Sequence, residues 1–145
     1  MFVESEKALH GIVQLLYRED EFIDILLQEQ IKTDYDVRVI VVAGEVLGAM
    51  KRPIVDGDFR SNVSQGSEPE IHELTDLEIS ESMKAAKAVG GDVVGVDFIP
   101  AKNRETEQPY FLEVNSNAGL TGIEEVHPGI TNTILTHFKD RTNWS

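Results

Sequence analysis

Phe111-Leu112-Glu113-Val114-Asn115, read with Val94-Gly95-Val96-Asp97-Phe98 upstream, decides the fold. Both segments alternate with period two, so each is expected to be a strand. Glu113 and Asn115 then share one face, and Leu112 and Val114 the other. The stretch between, from Pro100 to Pro109, is polar and turn-rich, which predicts a hairpin. A hairpin folded about its middle sets Asp97 opposite Glu113. Like charges directly across a sheet are destabilising. Two carboxylates and an amide oxygen on one face are therefore read as neutralised by a cation. Oxygen-only ligands favour a hard ion such as magnesium, held by one or two carboxylates together with substrate phosphates. A solvated face carrying an incidental acidic pair is the competing reading.

Outward from this hairpin, Met1–Val3 reads as a short strand and residues 5–18 as a helix with Leu9, Ile12, Val13 and Leu16 on one face. Ile23–Ile31 is a candidate strand. Val37–Val42 and Val46–Lys51 form a second hairpin about Ala43-Gly44-Glu45. A turn centred on Ala43-Gly44 puts Asp36 near Lys51, a plain cross-strand ion pair. The functional alternative is that Arg38 and Lys51 project into a phosphate site. Residues 52–74 lack a period and read as a long loop, the kind that is commonly functional or disordered. Arg60 lies in it beside Ser61 and Asn62, and its fork of donors suits phosphate oxygens; a solvated loop arginine is the plain alternative. Thr75-Asp76-Leu77-Glu78 is a capping-box pattern opening a helix with Ile79, Met83 and Ala86 inward, stopped by Gly90-Gly91. Residues 115–129 read as a glycine-rich loop in which Gly119 and Gly122 allow backbone to approach a ligand. Ile130–Lys139 closes the chain as a helix with Ile130, Ile134, Leu135 and Phe138 inward. Hairpins mixed with helices indicate an α+β fold.

Composition removes whole classes of function. A chain of 145 residues with 41% hydrophobic content can bury one real core. A net charge of -13 argues against a nucleic-acid or anionic-membrane surface. The absence of cysteine removes disulfides, thiolate metal sites and thiol nucleophiles, and fits a reducing compartment. The four histidines show no metal spacing, and none sits by a serine in a nucleophile elbow.

Taken in order, Gly57-Asp58-Phe59-Arg60-Ser61-Asn62, Gly95-Val96-Asp97, Glu113-Val114-Asn115 and Gly119-Leu120-Thr121-Gly122-Ile123-Glu124 resemble the ATP-grasp superfamily, and most closely its RimK-type carboxylate–amine ligases. The resemblance runs from Phe2 to about Phe138. It implies an ATP-grasp C-terminal subdomain, a largely antiparallel sheet with packed helices. Residues 1–32 would be the remainder of the small lid subdomain, and 33–145 the metal- and phosphate-binding subdomain. It implies a ligase that activates a carboxylate as an acyl phosphate, lets an amine attack, and releases ADP. ATP and magnesium, with manganese as a substitute, would be the cofactors. By resemblance, Asp97, Glu113 and Asn115 hold the metal, and Arg60, catalytic, faces the phosphates with Ser61 and Asn62. Glu29, Gln30 and Ile31 meet the adenine, Asp36 lies near the ribose, and Arg38 and Lys51 line the nucleotide cleft. Asn117, Gly119 and Gly122 belong to an acceptor loop. That loop departs from the Asn-x-Ser-Pro-Gly of many relatives, so it is less constrained. The expected partners are ATP and an amino-acid or peptide substrate, with no nucleic acid and no membrane. The chain is expected in the cytoplasm. Family members are about twice as long, so a homo-oligomer or association with a missing N-terminal half is expected. Two other readings stand beside this one: a non-catalytic nucleotide-binding or assembly module without a lid, and a domain that uses a divalent metal structurally.

Overall fold

The computed structural model describes residues 3–54 and 68–141. Met1 and Phe2 of the expected first strand lie outside these residues, as do Arg60, Ser61 and Asn62. The chain divides into two units, 1–32 and 33–145.

The first unit holds α1 (Glu6–Glu19), capped by the Ser5 side chain accepting from the Ala8 N–H. Glu6 sits in its first turn and Arg18 in its last, both favoured by the helix dipole. Its apolar residues Leu9, Ile12, Val13 and Leu16 are only half-buried. The strand expected at Ile23–Ile31 does not form. Residues 24–32 carry no regular secondary structure, and Phe22 and Leu26 are exposed. Its apolar composition suits a strand, but a strand also needs a neighbour for its backbone groups, and none pairs here among the described residues.

The second unit is one five-stranded antiparallel sheet in the order β3-β2-β1-β4-β5. Its strands are β1 (Tyr35–Val42), β2 (Glu45–Pro53), β3 (Glu70–Ile71), β4 (Val93–Ile99) and β5 (Tyr110–Asn115). β1 and β2 are joined by Ala43-Gly44, both at positive φ (51° and 81°), as a tight two-residue hairpin turn requires. The register then slips by one between Ile40 and Val41, so that Asp36 pairs with Arg52 and Val37 with Lys51. The expected Asp36–Lys51 pair is thereby replaced: a bulge adds one residue to one strand and shifts every partner beyond it.

Alternation splits the sheet into two faces. Val37, Val39, Val94, Val96 and Phe98 pack with Ala86 of α2 (Asp76–Ala88). Ile40, Val42 and Met50 pack with Ile123 of α3 (Thr121–Val126) and with Ile130 and Ile134 of α4 (Ile130–Arg141). Three expectations need correction. Residues 121–126, expected as loop, form α3, which places Gly122 in a helix and buries it. On α2 the buried residues are Glu78, Ser82 and Ala86, while Met83 is exposed. The Thr75–Glu78 capping box and an ion pair from Arg104 turn Glu78 inward. On α4, Ile130 and Ile134 are buried, but Leu135 and Phe138 are about half exposed.

Candidate functional site

The site lies on the α3/α4 face of the sheet, on β1, β2, β4 and β5 beside that core. Register brings its side chains together: Asp97 pairs with Glu113, Gly95 with Asn115, Arg38 with Asp97, and Asp36 with Arg52. Asp97 and Asp36 are buried, Asn115 is half-buried and Glu113 is exposed. Gly95 is required by packing. A Cβ there would lie 2.5 Å from the Ala118 Cβ, so the loop that follows Asn115 rests directly on β4.

Cations do balance the acidic face, but two arginines supply much of the charge. Arg38 donates from Nε to Asp97 Oδ1 (2.8 Å) and from Nη2 to Oδ2 (2.6 Å). Arg52 grips Asp36 with Nε–Oδ1 at 2.7 Å and Nη2–Oδ2 at 2.8 Å, and its Nη2 also donates to Asp97 Oδ2 at 3.0 Å. Burial works against the Arg52 charge, yet Asp36 and Asp97 more than offset it, and its pKa lies above the ordinary arginine value. Bidentate guanidinium–carboxylate pairs of this kind are strong and directional. Asn115 Nδ2 donates to Glu113 Oε1 at 2.7 Å, which leaves the Asn115 oxygen as an acceptor.

The donor set fits a hard cation. Asp97, Glu113 and Asn115 offer only oxygens from two adjacent strands. No group of three or more His, Cys, Asp or Glu able to hold a metal occurs among the described residues, and Asp36, a third carboxylate on this face, is taken up by Arg52, which leaves two carboxylates and an amide. That number suits magnesium completed by phosphate oxygens better than an all-protein cage.

Lys51 stands elsewhere in the sheet. Lys51 pairs with Val37 and so lies on the opposite sheet face from Arg38, bonded to Glu70 at 3.2 Å and over the Tyr35 ring. Strand alternation forbids Arg38 and Lys51 from lining one site. Glu29, Gln30 and Ile31 belong to the first unit, where Glu29 and Gln30 are exposed and Ile31 is half-buried. Asn117 and Gly119 are exposed loop residues. In the Gly122-Ile123-Glu124 stretch, Glu124 ties α3 to α4. Its carboxylate accepts from the Thr131 hydroxyl and from the Thr131 and Gly129 N–H groups, and these bonds hold its pKa below the usual range. The residue that sequence reasoning missed is Arg52. The signal was a second charge closing an apolar strand, but without the bulge its partner is misassigned.

A family model, the RimK-like ATP-grasp domain, matches residues 2–136, and the chain belongs to that family. The chain is 38% identical over 124 residues to a probable alpha-L-glutamate ligase of Stutzerimonas stutzeri, covering 84% of this chain and 39% of that protein. It is 45% identical over 103 residues to a probable alpha-L-glutamate ligase of Teredinibacter turnerae, covering 70% and 33%. The chain thus spans well under half the length of these relatives. Among solved structures, it resembles a RiPP-associated ATP-grasp ligase of Chryseobacterium gregarium in complex with ADP and a leader and core peptide. That match has a TM-score of 0.68 and 19% identity, and covers 97% of this chain and 42% of that one. It also resembles D-alanine–D-alanine ligase of Bacillus anthracis complexed with ATP, with a TM-score of 0.62 and 16% identity, covering 99% and 50%. At these identities the structural likeness establishes the ATP-grasp fold alone. No helix among the described residues is long and apolar enough to cross a membrane.

Proposed function

We propose that this chain is the metal- and phosphate-binding part of an ATP-dependent carboxylate–amine ligase that works through an acyl phosphate and releases ADP. The observation that carries the reading is the oxygen set Asp97, Glu113 and Asn115 on paired strands, backed by Arg38 and Arg52, in a chain of the RimK-like family. Magnesium bound there would offset the negative charge of the ATP phosphates, the charge that opposes attack by a carboxylate. The chain's own residues do the rest. Asp97, Glu113 and Asn115 would hold the cation, Arg52 fixes Asp97, and Arg38 would add positive charge beside the phosphates. Arg60, Ser61 and Asn62 are assigned to the phosphates, Glu29, Gln30 and Ile31 to the adenine, and Asn117 and Gly119 to the acceptor. Residues 1–32 are assigned to the remainder of the small lid subdomain and 33–145 to the metal- and phosphate-binding subdomain. The named relatives make glutamate the first amino acid to supply as substrate. The work is assigned to the cytoplasm and to an assembly with a further N-terminal part, because positioning from both halves of a cleft is what such catalysis needs.

Isothermal titration with ADP or a non-hydrolysable ATP analogue, with and without magnesium, tests this. Saturable binding that needs magnesium and is lost in Glu113→Gln is the expected result. No binding at millimolar nucleotide would overturn the reading for this chain.

A further inference from the structure

Asp97 is shared by two arginines that differ in how firmly they are held. Arg52 is the more buried, with a side chain 8% exposed, and Asp36 grips it on two bonds independent of Asp97. Arg38 has a side chain 14% exposed, and among the described residues its ion-pair partner is Asp97. An ionised carboxylate offers about four acceptor positions. Three on Asp97 are filled: two on Oδ2 by Arg38 and Arg52, and one on Oδ1 by Arg38. Asp36, Asp97, Arg38 and Arg52 already sum to zero charge. A divalent cation at Asp97 would therefore meet two guanidiniums, with Glu113, which accepts from the Asn115 amide, as the carboxylate of the set outside these ion pairs.

We infer that Arg38 competes with the cation for Asp97, so that this site admits a divalent metal with an anionic ligand such as a nucleotide phosphate and resists the bare ion. Arg52 is the positioning residue that holds Asp97 in place throughout. Arg38 is the exchangeable one, released toward the incoming phosphates as the cation takes its position on Asp97. The inference rests on the nucleotide-site reading above for its ligand, but its central test needs no nucleotide. Competition predicts a gain in metal affinity when the Arg38 charge is removed, and a purely structural role does not.

The experiment is Mn2+ titration of the chain in nucleotide-free buffer, read from the electron paramagnetic resonance signal of free Mn2+, with folding checked by circular dichroism. Arg38→Gln is expected to tighten Mn2+ binding about tenfold or more, because the competing charge is gone. Adding Glu113→Gln to it should abolish the gain, which ties the ion to this face. Should Arg38→Gln fail to fold, Arg38→Lys decides: it keeps a charge but gives up the bidentate grip, and about a threefold gain is expected. Unchanged or weaker Mn2+ binding in the folded Arg38 variant overturns the inference even where the parent binds Mn2+ with ADP. A gain in that variant, with no Mn2+–ADP binding by the parent, upholds the competition and removes the nucleotide reading instead.

Discussion

Arg104 closes on Glu78 with Nε at 2.9 Å from one carboxylate oxygen and Nη2 at 2.7 Å from the other, joining the β4–β5 connection to the first turn of α2. The same guanidinium lies 2.9 Å from His72 Nε2, which is itself 3.5 Å from the Glu78 carboxylate. Burial pushes the Glu78 carboxyl up, but Arg104, His72 and the Thr75 N–H reverse this and bring its pKa down to about 2. A depressed carboxylate adds stability above its unfolded value that is lost as pH falls toward the folded one. The loss should therefore run from about pH 4.5 down to about pH 2. It should total on the order of 2–3 kcal/mol. Urea denaturation between pH 7 and pH 2.5 checks it: Glu78→Gln should be weaker at pH 7 and show a flatter acid limb. An unchanged acid limb in that variant would assign acid sensitivity to other carboxylates.

Gly95→Ala tests the contact between β4 and the loop after Asn115. The new methyl would meet the Ala118 Cβ at 2.5 Å, and neither atom belongs to a flexible side chain. Overpacking of this kind costs about 1–3 kcal/mol. Ala118→Gly in the same chain should recover most of it, a non-additivity readable in a double-mutant cycle by chemical denaturation. Additive losses would mean that the strain goes elsewhere.

The sheet hairpins, α1, α2 and α4 were legible because their periods and caps are local. The Asp97–Glu113 opposition was legible too, since one connection sets it. What escaped depends on distant partners. The bulge at Ile40 and Val41 moved Asp36 from Lys51 to Arg52, and no local pattern announces it. Glu78 turned inward because Arg104, 26 residues away, neutralises it, so an apolar-face count misplaced α2's buried side. The Ile23–Ile31 stretch has strand composition but no pairing partner among the described residues.

Asp97→Asn and Glu113→Gln should separate stability from ligand binding. Asp97 is buried between two guanidiniums, and removing its charge leaves Asp36 on Arg52 and, among the described residues, no ion-pair partner for Arg38. Breaking a buried pair in this way costs about 3–5 kcal/mol. Glu113 is exposed, and glutamine keeps an oxygen for the Asn115 amide, so its stability change should stay within about 0.5 kcal/mol. Thermal melts of both variants check this, and they make Glu113→Gln the cleaner probe for magnesium-dependent nucleotide binding. A large destabilisation in Glu113→Gln would favour a structural role for that carboxylate.

Lys51→Ala tests which sheet face carries the site. Lys51 shares its face with Val37 and Ala49, reaches Glu70 at 3.2 Å and lies over the Tyr35 ring. An exposed ion pair is worth about 0–1 kcal/mol, and the ring contact adds a comparable amount. The variant should therefore lose no more than about 2 kcal/mol. Its magnesium–ADP affinity should stay within about threefold of the parent, because strand alternation turns this side chain away from Asp97. Titration calorimetry on Lys51→Ala and Glu113→Gln side by side gives the comparison. A large affinity loss in Lys51→Ala, with folding intact, would put the phosphates on the α2 face and overturn the placement of the site.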